Sequence, residues 1–442
     1  VKKYLALVLG LVFVFGFAVS AFALPAEIPS ETQAVVAKGS TQITLGGELR
    51  MRGWYVDNIS GTRRAISNPA DTDSQAWWDG RVRLSLRAEV TKNTSGFVHL
   101  ETGSTTGDSY TWGTLNTKQG GPTQLLEAWI LHKGSGLLGV PAGIKVGHMP
   151  LALGEMQFLD HRKFGDDALV LFVDPTKELH IGLLTAKFAE GSTGTDSAAD
   201  IDGYVGLFTY KLDKDNTLGM NYAYVNAPNP DLKFSNLGIH ANGKLATVLS
   251  YKTELDLQFG EVGTVDYDGY GFLLGLGYKF DPTPLVIRGE FAIGSGDSRG
   301  TGDGDNKEFQ TTLGNDVHYT FVYEFTTRGA AQYQTVDTGR GGRSTGIANT
   351  TYFRLGIDAD IAKDLKGSLD GFILRATKVA SGSKKIGSEF DLKLTYKIDR
   401  NLTYSFTAGY LDTGKWWEDT LGVASSQNKN ITQAMHALTL SF

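Results

Sequence analysis

The chain has no cysteine in 442 residues. Disulfides, thiolate metal sites, cysteine-attached haem and a lipidated cysteine are therefore excluded. Proline is scarce, at 11 residues. Beyond the first two dozen residues, no apolar run approaches the roughly 20 residues that a membrane-spanning helix needs. No stretch sustains a helical period either. Gly-x-Ser-x-Gly spacings occur at 296–300 and 342–346, in glycine-rich loop sequence and not at a strand-to-helix elbow, and no metal-binding histidine pair stands out, so no enzyme is expected. Acids outnumber bases, 48 to 42, which argues against a nucleic-acid partner.

What is present begins with Lys2 and Lys3, an apolar run from Tyr4 to Val19, and the small-x-small site Ala21-Phe22-Ala23. That order predicts a secretory signal peptide over 1–23, and Pro25 and Pro29 follow it in place of a positive stop-transfer flank. Its removal leaves 40 basic and 48 acidic residues, a net of −8. Residues 24–39 are expected to form a periplasmic extension, and 40–442 one barrel. An exported chain without disulfides needs another source of stability, and a barrel in which every strand is paired supplies it.

The evidence for a barrel is strict alternation. In Arg81-Val82-Arg83-Leu84-Ser85-Leu86-Arg87-Ala88-Glu89-Val90 every even position is apolar and every odd one polar or charged. A strand sends such residues to opposite faces. Turning three arginines toward lipid would cost about 6–12 kcal/mol at midplane depth, so the charged face must be the wet inside. Glu48, Arg50 and Arg52 alternate in the same way, as do Glu254 and Asp256, Arg288 and Glu290, Arg354 and Asp358, and Glu389 and Asp391. Leu438, Leu440 and the terminal Phe442 share one face, the pattern of an outer-membrane assembly signal.

Short turns are expected at 91–95, 133–142, 174–177, 213–216, Asn242-Gly243, 281–284, 362–364 and 399–401. Eight turns make nine hairpins and 18 strands; 16 is the alternative if the brief strands near 96–103 and 168–173 drop out. The fold class predicted is thus an all-β, transmembrane, antiparallel up-and-down barrel with long outer loops, the longest over 295–348. Val317–Thr327 also reads as a strand, but it lies between an upward and a downward one, so parity assigns it to that loop. Trp54-Tyr55, Trp77-Trp78, Trp112 and Trp416-Trp417 fall at outer ends, and Tyr210, Tyr278, Phe280 and Tyr396 at periplasmic ends, as two interface girdles would.

Eighteen strands leave room for an aqueous channel. The inward charges expected to line it are Glu48, Arg50, Arg52, Arg81, Arg83, Arg87, Glu89, Glu101, Glu127, Lys145, Glu254, Arg288, Glu290, Arg354, Asp358, Asp370 and Asp391. They either set a transverse field that selects solutes or pair with one another and merely hydrate the wall. No cofactor is expected. The loop 294–305, with Asp297, Asp303 and Asp305, is a weak Ca²⁺ candidate because it lacks the spacing and closing Glu of a calcium loop. His148 and His161 flank one outer loop and are too few for a metal site alone.

Residues 125–174 are the most individual. Leu125-Leu126-Glu127-Ala128-Trp129 leads to Ile144-Lys145-Val146-Gly147-His148-Met149-Pro150-Leu151-Ala152-Leu153-Gly154-Glu155, then Phe164-Gly165-Asp166-Asp167-Ala168. This resembles the alginate-export-type group of outer-membrane porins, with His148 where the group carries Arg. The resemblance implies an 18-strand monomeric barrel and a dedicated oligosaccharide or polyanion channel. The residues themselves predict a porin for passive diffusion of small polar or charged solutes, with a structural barrel lacking an open pore as the remaining alternative. Lipid, lipopolysaccharide and the barrel-assembly machinery are the expected partners.

Overall fold

The computed structural model describes residues 34–442 except 39–40, 59–73, 104–108, 114–121, 137–138, 191–199, 229–230, 298–303, 312–318, 325–345, 421, 424 and 426–427. The expected signal peptide over 1–23 and Asp303 lie outside the described residues.

Eighteen strands form the wall: β1 (Thr41–Asp57), β2 (Ser74–Thr91), β3 (Thr94–Thr102), β4 (Thr123–Gly134), β5 (Ala142–Met149), β6 (Asp166–Val173), β7 (Leu179–Ala189), β8 (Ile201–Lys211), β9 (Thr217–Ala227), β10 (Leu232–Ala246), β11 (Leu249–Val262), β12 (Tyr270–Phe280), β13 (Leu285–Gly294), β14 (Thr350–Ala362), β15 (Leu365–Ala376), β16 (Lys385–Asp399), β17 (Leu402–Thr413) and β18 (Ile431–Ser441). Each pairs antiparallel with its sequence neighbours, and β1 pairs with β18 from Glu48↔Ser441 to Asp57↔Thr432. The sheet is therefore closed and has no free edge in its wall. The parity count of 18 holds, and both brief strands, β3 and β6, are in the wall. In the expected N-terminal extension, Ala34–Lys38 folds back on Thr41–Leu45 as a hairpin.

Burial is inverted relative to a water-soluble protein. On β2, Leu84 is 52% exposed while Arg81 is 5% exposed. Phe353, Leu355, Ile373 and Phe390 repeat this on β14–β16, exposed on the outside. Alternation alone produces this, because successive residues face lipid and lumen in turn.

Seven of the eight expected turns lie between the strands where the sequence placed them. The exception is Asn242-Gly243, which is inside β10; the true turn is 247–248. Gly243 has φ +152°, and a Cβ there would collide with the backbone at Asp215. The glycine thus serves a close approach between hairpins and not a turn. The outer girdle also differs in part. Tyr55, Trp78 and Trp112 are exposed, with Trp78 stacked on Trp112 at 5.3 Å. Trp54 faces inward, since neighbours on a strand cannot both face lipid. Trp416 and Trp417 are fully buried in α1 (Trp416–Asp419), where the Trp417 indole N–H donates to the Ile386 carbonyl at 2.9 Å. Tyr210, Tyr278 and Phe280 are exposed near the opposite rim as expected.

Candidate functional site

The inner face of the wall carries the charged residues that alternation assigns to it, and many of them are bridged. Arg52 pairs with Asp79 at 2.8 Å, Arg81 with Glu48 at 2.6 Å, and Arg83 with Glu101 at 2.5 Å. Across the barrel Arg288 bridges Asp358 at 2.5 Å and Asp370 at 3.1 Å, Arg354 reaches Asp370 at 2.8 Å, and Lys252 reaches Glu290 at 2.7 Å. Arg288, Arg354, Asp358, Asp370 and Lys393 line an open cavity of about 470 Å³. Arg50 lies between Glu48 and Arg52 in the same inward row of β1.

Arg87 and Lys145 differ. Both stand over the Trp129 ring, at 5.7 and 4.2 Å, and Arg87 also over Phe97 at 5.8 Å. Among the described residues neither is in salt-bridge contact with a carboxylate, and Arg87 and Glu89 are exposed. Glu127 accepts from the Trp129 indole at 2.9 Å and meets His99 at 3.5 Å. Cations over an indole face retain charge that a solute can meet.

Three outer segments fold inward. Residues 150–165 place Leu151, Leu153, Phe158 and Leu159 in a buried cluster with Phe188, Val225 and Phe234. Their polar side is tied to the wall: the Gln157 N–H donates to Glu254 at 3.2 Å, and Asn242 donates to Glu155 at 2.7 Å. Gly154, at φ +56°, allows the tight approach to Glu254. Residues 304–311 dock through Gln258, which donates to the Gln310 carbonyl and accepts from the Gln310 N–H, both at 2.7 Å.

The third segment is the strand-like stretch that parity removed from the wall. Its described part, 319–324, is a turn buried inside the barrel. Backbone N–H groups of Val322 and Tyr323 donate to Glu389, and that of Phe321 to Asp391 at 2.9 Å. Gln433 donates to the Phe321 carbonyl at 3.3 Å. Tyr319 stacks on Tyr352 at 4.4 Å, and burial pushes its phenol well above the ordinary value.

Alternation placed Glu389 and Glu254 inward, yet it did not mark them as loop anchors; that role needs the fold of the distant loops. Asp79, the partner of Arg52, is absent from the expected inward charges although its strand begins at Ser74. His148 and His161 do not meet in one site: His148 bonds Asp167 at 3.0 Å and His161 bonds Asp166 at 2.6 Å. Among the described residues no three or more His, Cys, Asp or Glu side chains gather as metal ligands. Much of loop 294–305, positions 298–303, lies outside the described residues.

Comparison with known proteins agrees with this architecture. The family model described as alginate export matches residues 202–429, downstream of the 125–174 segment that carried the resemblance. No curated protein sequence matches the chain. Solved structures from Pseudomonas aeruginosa share the fold. OccK11 (OpdR) is 14% identical, covering 90% of this chain and 96% of that one with a TM-score of 0.54. OccK5 (OpdH) is 13% identical, covering 90% and 98%, with a TM-score of 0.56. OpdK, solved with vanillate, is 10% identical, covering 90% and 98%, with a TM-score of 0.55.

Proposed function

The chain belongs to the alginate export family, a barrel of the bacterial outer membrane, and from that premise we propose that it is a constricted porin for small polar or charged solutes. The observation that carries this reading is the trio of inward segments tied to the wall, which narrows a barrel otherwise wide enough for bulk water. The described contacts of 304–311 and 319–324 fall on β11–β18 and on Trp54 of β1, and those of 150–165 on β4–β11. Arg87 and Glu89 on β2 are left exposed. The passage then runs past Arg87 on β2 and Lys145 on β5, the groups a solute meets.

The pairing of Arg52, Arg81, Arg83, Arg288 and Arg354 with carboxylates favours small solutes over a polyanion. A polymer of carboxylates needs a run of uncommitted cations, and these are committed. Passage is by diffusion, and no catalytic step is assigned to the chain. Single-channel recording in planar bilayers tests the reading. We expect small, ohmic openings with weak ion selectivity; absence of conductance through folded protein, or block only by an acidic oligosaccharide, would replace it with a sealed barrel or a dedicated polyanion channel.

A further inference from the structure

Near the outer end of the lumen three rings lie almost parallel. Trp54 of β1 and Trp77 of β2 are directly paired across the two strands, so they share the inner face. Their ring centroids are 5.6 Å apart and their planes differ by 8°. Phe321, from the inward turn 319–324, stacks on Trp54 at 6.3 Å and 17°. Exposure rises along the stack, from 6% for Phe321 and 8% for Trp54 to 36% for Trp77. Packing accounts for the first two rings, since Trp54 seats the turn against the wall. It does not account for Trp77, which touches no other ring among the described residues and leaves its far side to the water of the channel mouth.

Gln75 and Asp79 flank Trp77 on the same face of β2. Asp79 is taken up: it accepts from Arg52 at 2.8 Å and from the Trp54 indole N–H at 2.8 Å. Arg52 also donates to Ser109 at 3.3 Å and lies 5.0 Å over the Trp54 ring. The charges beside the stack are thus matched, one guanidinium to one carboxylate. Gln75 is exposed, and neither its amide nor the Trp77 indole N–H has a partner among the described residues. A solute arriving here meets a bare aromatic face edged by hydrogen-bond donors and an acceptor.

We propose that Trp77 is a stacking platform for a neutral saccharide, a mono- or disaccharide of pyranose rings, with the Gln75 amide bonding the ring hydroxyls. The inference rests on the channel reading above and names a solute class for it. A pyranose carries C–H bonds on one face and hydroxyls around its edge, which matches a rigid indole face with an amide beside it. An aromatic acid needs a cation at the stack to meet its carboxylate, and Arg52 is engaged by Asp79 and Ser109. The inward row of β2 runs on from Trp77 through Arg81 and Arg83 to Arg87, so a sugar leaving the platform is already in the passage.

The test uses the full chain folded in detergent micelles, titrated calorimetrically with maltose and, separately, with sodium benzoate. Saturable maltose binding is expected, tighter than that of benzoate. Trp77→Ala should weaken it roughly tenfold, Gln75→Leu roughly fivefold, and Trp77→Phe less than either, all three keeping the heat-modifiable gel shift of a folded barrel. No saturable binding of maltose by the unaltered chain, equal affinity in Trp77→Ala, or tighter binding of benzoate would each overturn the platform. Ion conductance of the unaltered chain is scored separately. A chain that conducts ions and ignores maltose keeps the channel and loses the platform; one that binds maltose through Trp77 without conducting keeps the platform and loses the channel.

Discussion

Arg81 and Arg83 are each neutralised by an acid from a neighbouring strand, Glu48 and Glu101, whereas Arg87 is exposed above Trp129. Changing all three to Gln therefore removes three positive charges and uncovers two negative ones. The reversal potential in a KCl gradient should move toward cation preference; an unmoved potential would take this wall out of the selectivity filter. A second residue-scale effect concerns Glu389. It accepts backbone N–H groups from Val322 and Tyr323, and a hydrogen bond to a charged acceptor contributes roughly 1.5–3 kcal/mol. Glu389→Ala should release the segment 319–324 and raise open-channel noise and conductance, with the barrel still folded. The facing of every such residue was legible, because period two decides it. The partners were not: alternation says that Arg83 points inward, and only the β2–β3 register brings Glu101 opposite it.

At the scale of elements, the wall and the inward segments obey different rules. Replacing 319–324 by a short Gly-Ser linker should leave the heat-modifiable gel shift intact and enlarge the conductance. An unchanged conductance would mean that this segment does not narrow the passage. The helix α1 offers a pH test. Hydrogen bonds from Asn428 and Ser425 hold the Glu418 carboxyl below its ordinary value of 4.5. A lowered value means stabilisation that is complete above pH 4.5 and lost as pH falls through the value in the folded state. The fluorescence of the buried Trp416 and Trp417 should shift to the red over that acid range, and Glu418→Gln should flatten the transition. Strand boundaries were readable where hairpin geometry and turn residues agreed. They failed at Asn242-Gly243, whose local signal is overridden by a ladder running from Leu232 to Ala246. Parity succeeded with Val317–Thr327 because it counts connections and ignores propensity. It could not say that the excluded stretch would enter the lumen, since that depends on Glu389, Asp391 and Gln433 from β16 and β18.

At the scale of the molecule, the sheet shuts where the first wall strand meets the last. Phe442 exchanges both backbone hydrogen bonds with Gly47, at 2.6 and 3.0 Å, and its ring stays exposed on the lipid side. Phe442→Ala should lower the yield of heat-modifiable barrel in cells while sparing the conductance of whatever assembles. An equal yield would mean that Phe442 serves as no assembly signal. The seam has a kinetic corollary. Pairing Glu48 with Ser441 ties together residues almost a whole chain apart, and the entropy of bringing them together is repaid only when the last rung forms. Until then the growing sheet carries two raw edges, each able to template pairing with another molecule. A stalled or shortened chain is thus not a smaller pore but an open ribbon prone to aggregate, and its quality control comes down to whether one late strand finds one early one.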